Sequence, residues 1–171
     1  MQTHNGVTLP ELLITTAILM ILAGLTMPAM TRFLDEQASV ARANTVVGLL
    51  REARASAAAR GPVMVCAANS DCRHFDGPHK GLKLVHDRNN NRRHDSDESV
   101  LKRVQLAENE SIQWRSFRMK PWLRFSHRGV AWYQNGHFLV CHAGAARKVI
   151  ISTQGRARVA PAGKTARQRC P

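Results

Sequence analysis

"NGVTLPELLITTAILMILAGLTMPAM", residues 5–30, carries one carboxylate, Glu11, at the head of an otherwise uncharged apolar run. From Leu12 through Thr31 no side chain is charged. At about 1.5 Å rise per residue, a helix of that length matches a bilayer core of about 30 Å. An acid beside such a segment is unfavourable by a few kcal/mol unless a cation meets it, so Glu11 calls for a partner. A cleaved secretory signal is a poor fit. The leader "MQTHNG" has no Lys or Arg, the run is too long, and no A-x-A site follows promptly.

Outward from this run the chain stays helical. Pro10 suits a first turn, where its missing N–H is of little consequence, whereas Pro28 lies deeper and is expected to kink or loosen the helix. Val40, Ala43, Val47, Leu50, Ala53 and Ala57 recur at three- and four-residue spacing and form one apolar stripe. Gly61-Pro62 ends the pattern. One helix of about 50 residues is expected, with residues 7–31 membrane-spanning and residues 32–60 amphipathic and packed on a domain.

Residues 61–171 change to short β-rich runs separated by turn residues. These are 63–66, 81–86, 99–106, 111–117, 122–126, 129–134, 137–142, 148–153 and 157–160. Asn135-Gly136 between two of them is the strongest hairpin signal in the chain. The expected fold is α+β, a long helix whose stripe is covered by an antiparallel meander.

Charge is placed unevenly. The chain carries a formal +13, yet Glu110 is the last of its acids, and the stretch beyond it is rich in Lys and Arg with no carboxylate side chain at all. Such asymmetry points to a polyanion, either nucleic acid or an anionic membrane surface. Four cysteines, Cys66, Cys72, Cys141 and Cys170, form an even set that fits disulfides in an oxidising compartment, and four thiols allow three pairings. The preferred pairing joins Cys66 to Cys72 and Cys141 to Cys170, the second pinning the basic tail to the sheet.

"G-VTLPE" resembles the processing site of type IV pilins and pseudopilins. "GPVMVC", "GLKLVHDRNNNRRHDSDESVL", "NGHFLVC" and "VIISTQGRAR" follow the order and spacing of the FimT/GspH family of minor pilins and pseudopilins. The resemblance implies a leader of residues 1–6 cut after Gly6 by a prepilin peptidase, with a new, methylated N-terminus at Val7, where these proteins usually carry phenylalanine. Glu11 becomes the fifth mature residue, whose carboxylate pairs with the N-terminal amine of a neighbouring subunit during assembly. It also implies a single-pass inner-membrane protein with a periplasmic C-terminal domain, exposed outside the cell once in a filament, with other pilins or pseudopilins as partners. Two functions are open. One is a FimT-like minor type IV pilin that binds DNA for natural transformation. The other is a GspH-like minor pseudopilin of type II secretion with a structural role alone.

"STQGRARVA" carries the DNA reading. Gly155 can take φ > 0 and turn the backbone. Arg156 and Arg158 are two apart, so in an extended segment both project from one face and meet successive phosphates. The FimT branch is similar here, with a G-R-x-R motif implicated in DNA capture. Arg147, Lys148, Lys164, Arg167 and Arg169 extend the basic set, and binding is expected to be independent of sequence. Trp114, Trp122, Trp132 and Tyr133 are able to stack on bases, but their alternation reads as core.

Other chemistries find little support. "DRNNNRRHDSDE" spans the twelve positions of a calcium loop from Asp87 to Glu98, but has Arg92 where a glycine belongs and two further arginines, so it reads as a charged hairpin loop. Cys66, Cys72, His74 and His79 match no common zinc spacing, so no metal or other cofactor is expected. Cys141 and His142 are adjacent in a strand and point to opposite faces. With no nucleophile elbow, P-loop or H-E-x-x-H present, no enzyme is expected.

Overall fold

The computed structural model describes residues 8–72, 75, 77–118, 122–131 and 133–170. Gly6, Val7 and the leader therefore lie outside the described residues, as do His74 and Trp132. The chain divides into two compact units, Met1–Leu34 and Asp35–Pro171. One helix, α1 (Leu9–Arg60), has residues in both.

In the first unit the helix is already closed at Leu12, whose N–H donates to the Thr8 carbonyl at 3.1 Å. Pro10 lies in this first turn, and α1 is one element through position 28. Leu12, Leu13, Ile14 and Ile18 each expose more than half their surface. Thr15, Thr16 and Thr26 donate their hydroxyls to carbonyls three residues back, at 2.9, 3.0 and 3.0 Å. Their polar groups are thus satisfied within the helix, as a lipid environment demands. Among the described residues α1 is the one helix long and apolar enough to cross a membrane, with a window of mean hydropathy 2.1. Glu11 stands exposed in its first turn.

In the second unit the stripe is buried as the spacing predicts. Ala43, Ala53 and Ala57 are fully enclosed and Leu50 nearly so, joined by Val46 and Leu49. Three fully enclosed alanines on this face leave no room for larger side chains, which would overpack there. Gly61 ends the helix at φ 104°, its N–H donating to the Ala57 carbonyl at 3.1 Å.

The β-rich half forms two sheets rather than a single meander. β1 (Val63–Ala67), β2 (Gly81–His86), β3 (Val100–Gln105) and β5 (Leu123–Phe125) make an antiparallel sheet of order β3-β2-β1-β5. β4 (Glu110–Ser116), β6 (Gly136–His142), β7 (Ala145–Ile151) and β8 (Ala157–Pro161) make the other, of order β4-β6-β7-β8. The inner faces of both, including Val65, Leu84, Trp114, Phe138 and Val149, join the helix stripe in one core. β3 is an edge strand with mostly exposed residues, and its Lys102 and Arg103 guard that edge against further pairing.

Two expectations need correction. Residues 129–134 form no strand, and Asn135-Gly136 is no hairpin turn: Gly136 opens β6 and pairs with Ser116. A Cβ on Gly136 would meet the Arg115 carbonyl at 2.3 Å, so the glycine serves close approach of two strands. The tight hairpin is instead Ala143-Gly144, between β6 and β7, with φ 43° and 81°. Both central residues have positive φ, as a type I′ turn needs, but Ala-Gly lacks the usual Asn or Asp signal. Trp122 and Tyr133 are also outside the core: Arg92 lies over the Trp122 ring at 5.1 Å and Arg118 over Tyr133 at 4.9 Å.

The 87–99 loop joins β2 to β3 as a charged connection. Two of its carboxylates are taken by N–H donors: Arg88 N–H meets Glu98 Oε1 at 2.9 Å and Asn89 Nδ2 meets Asp95 Oδ2 at 2.8 Å. Buried Asp87 pairs with Arg124 at 3.1 Å, tying the loop to β5. Glu110, also buried, is held by Arg42 at 2.5 Å, His142 Nδ1 at 3.0 Å and the Ala107 N–H at 2.9 Å. Burial opposes its charge, but these three partners outweigh burial and hold the carboxyl below the ordinary range.

Candidate nucleic-acid interface

Alternation sorts the residues of the second sheet by face. Trp114, Phe138, Val149 and Val159 point inward, so their neighbours point outward. Register then aligns Arg115 with His137, His137 with Ile150, and Ile150 with Arg158, one outward row across all four strands. The next row carries Gln113, Leu139, Lys148 and Ala160.

The C-terminal segment covers one end of this outer face. Cys141 on β6 is bonded to Cys170, and Leu139, Cys141, Ala146 and Ala162 are buried beneath Ala166 and Cys170. The single-turn helix α2 (Lys164–Arg167) lies in this cover. A second disulfide joins Cys66 to Cys72, which removes both sulfurs from any zinc site. His79 instead stacks on Phe75 at 5.4 Å.

The other end of the outer face stays open as a cleft of about 680 Å3, walled by Arg115, His137, Lys148, Ile150, Phe117 and Gln113 among others. A smaller one of about 350 Å3 shares Ile150 and is lined by Arg156 and Arg158. Among the described residues lining either cleft there is no carboxylate. His137 feels this field. Burial lowers its pKa from the ordinary 6.5, and Lys148, Arg115 and Arg169 lower it further.

The Arg156 turn rests on Gly155, which is buried at φ 75°. A Cβ there would meet the Gly129 carbonyl at 2.5 Å and the Phe125 ring at 2.9 Å. Ser152 accepts from the Gly155 N–H at 2.9 Å and donates its own N–H to the Arg156 carbonyl at 3.0 Å, closing the turn. Arg156 reaches Gln154 at 2.7 Å and remains exposed.

Of the seven basic residues expected at the site, the structure brings Lys148, Arg156, Arg158 and Arg169 to this outer face or its rim, and leaves Lys164 exposed on α2. Arg147 and Arg167 are engaged elsewhere. Each places a guanidinium nitrogen 2.7 Å from an oxygen of Glu36, so one carboxylate clamps β7 and the tail to the helix. Arg147 has the parity of Val149 and faces inward, unlike its neighbour Lys148. Arg115, His137 and Phe117 were missed in the sequence. Alternation from Trp114 and Phe138 places the first two outward, but only the β4–β6 pairing sets them side by side.

A long apolar N-terminal helix carried into a β-rich body with two antiparallel sheets is the architecture of a pilin-type subunit, and it fits a membrane-anchored one. Residues 42–155 match the family model described as type II transport protein GspH, and the chain belongs to that family of pilins and pseudopilins. Its fold matches the crystal structure of the type IV minor pilin FimU of Pseudomonas aeruginosa PAO1 in space group P21. The TM-score is 0.54 at 18% identity, over 81% of this chain and 96% of that one. The P65 form of the same protein aligns at TM-score 0.49 and 18% identity, over 75% and 94%. No curated protein matches the sequence. Membership in this family implies assembly with other pilins or pseudopilins.

Proposed function

We propose that the chain is a minor type IV pilin that binds DNA without regard to sequence. A prepilin peptidase cuts it after Gly6, Val7 becomes the N-terminus, and Glu11 meets the amine of a neighbouring subunit in the filament. The inner membrane holds the first unit, and the second lies in the periplasm until assembly carries it outside the cell. The observation that supports DNA binding best is the outer face of the second sheet. Arg115, Lys148 and Arg158 stand on it with His137 between them, Arg156 flanks it, and no described lining residue carries an opposing charge. Such a field attracts phosphates, and their contacts dominate affinity.

The test is a salt titration of duplex DNA binding by the full chain in zwitterionic detergent. The log–log slope on duplex is roughly −0.9 per phosphate neutralised. Arg156→Ala with Arg158→Ala should flatten it by about two units, and an unchanged slope removes both residues from the site. The second reading, a type II secretion pseudopilin with a structural role alone, draws on the description of the matched family and on the use of Arg147 and Arg167 as internal clamps. On that reading the full chain binds no nucleic acid even in dilute buffer.

A further inference from the structure

The larger cleft has a feature that phosphate binding leaves unexplained. Its wall includes Phe117, which is 78% exposed, and the aliphatic side chain of Ile150. Phe117 and Ile150 together give the cationic row of this cleft an apolar margin. Duplex DNA presents phosphates on its outside and keeps its bases stacked within, so it would engage the cations and leave Phe117 and the floor untouched. An unpaired strand presents both. Its bases have apolar faces that stack on aromatic rings, and its phosphates follow a basic groove. At about 680 Å3 the cleft lies in the range that encloses small organic groups such as a nucleobase with its sugar.

Resting on the DNA-binding reading above, we infer that this cleft is a single-strand site, in which a base of single-stranded DNA seats against Phe117 while its flanking phosphates lie on Arg115, Lys148 and Arg158. The cleft is held in shape from both sides. The Phe117 N–H donates to the Asn135 carbonyl at 2.9 Å, which ties the segment after β4 to the start of β6. The Cys141–Cys170 bond fixes the tail at the far end of the same face, with Arg169 close enough to act on His137. Duplex DNA can still bind along the cationic row, so the inference concerns preference and the seat of the base.

The full chain in zwitterionic micelles is titrated with labelled oligothymidylate of about 12 nucleotides, within the site sizes of single-strand binders, with a duplex of equal length, and with heparin. Oligothymidylate should bind several-fold more tightly than duplex. Phe117→Ala should weaken it by about five-fold or more while leaving duplex binding within about two-fold. Lys148→Gln should flatten the single-strand salt slope by about 0.7. An oligothymidylate carrying 5-iododeoxyuridine should crosslink to Phe117 under near-ultraviolet light. Equal or tighter duplex binding with Phe117→Ala indifferent overturns the inference and leaves the DNA reading standing. So does heparin competing equally against wild type and Phe117→Ala with no crosslink at Phe117. If neither nucleic acid binds in dilute buffer, the DNA reading itself fails.

Discussion

Two glycines with nearly equal φ angles separate backbone strain from steric exclusion. Gly144 at φ 81° and Gly155 at φ 75° both occupy the left-handed region, where an alanine costs about 1–2 kcal/mol. Their surroundings differ. A Cβ on Gly144 meets nothing within 4 Å, whereas one on Gly155 meets the Gly129 carbonyl at 2.5 Å and the Phe125 ring at 2.9 Å. That carbonyl cannot swing aside as a side chain would. It belongs to a turn closed by the Gly129 N–H to Ser126 at 2.7 Å and the Ser126 N–H to Val130 at 3.0 Å. Phe125 is fully buried. Overpacking of this kind adds about 1–3 kcal/mol, so Gly144→Ala should cost about 1–2 kcal/mol and Gly155→Ala about 2–5 kcal/mol. Urea unfolding of the full chain in mild detergent, followed by tryptophan emission, measures both, provided the denaturant slope is unchanged. Equal costs within about 0.5 kcal/mol would refute the steric argument. Gly155→Ala should also weaken DNA binding beyond its effect on stability, because the turn it distorts aims Arg156.

The disulfides close loops of different length, with sequence separations of 29 for Cys141–Cys170 and 6 for Cys66–Cys72. Loop-closure entropy predicts that Cys141→Ser with Cys170→Ser costs about 3.6 kcal/mol and Cys66→Ser with Cys72→Ser about 2.2 kcal/mol; urea unfolding measures both, and protease nicking after Lys164 should accelerate only in the first pair. His137 sets a pH dependence. Its pKa is lowered from 6.5 in the folded chain, so the stability it contributes is full above pH 6.5 and falls as acid drives a proton onto it. Bound phosphates favour the imidazolium, so affinity for DNA should rise as pH falls below 6.5. His137→Gln should flatten both trends relative to wild type, and anisotropy titrations across pH 5–8 check the second.

Much of the fold was legible because it rests on periodicity. The uncharged run from Leu12 to Thr31 and the stripe through Ala43, Leu50 and Ala57 each follow from spacing within one segment. Gly61-Pro62 marked the helix end for the same local reason. What escaped depends on pairing between segments. The split into two sheets turns on β5 leaving the order of its neighbours to pair with β1, and nothing local to "WLRFS" announces it. Gly136 misled because a glycine needed for close strand approach looks the same in sequence as one needed for a turn. At the candidate site Gly155, Arg156 and Arg158 were readable as a motif. Arg115 and His137 come from strands that are not consecutive in the chain and meet only through the β4–β6 register.

Counting charges beyond Glu110 identified a basic region, but the structure assigns those charges different tasks. Arg124 neutralises Asp87 beneath the β2–β3 loop, and Arg118 lies over Tyr133. Arg147 and Arg167 share Glu36, an acid from the far side of the sequence. These four stabilise the body, and a polyanion would have to break their contacts to use them. Arg115, Lys148, Arg156 and Arg158 have no such carboxylate among the described lining residues; three of them share one sheet face, with Arg156 flanking it and Phe117 at its margin. Composition alone predicts a diffuse attraction that every cation contributes to equally. The sorted arrangement predicts instead that neutralising Arg156 and Arg158 changes the salt slope, while neutralising Arg147 or Arg167 acts mainly through the docking of β7 or of the tail on the helix.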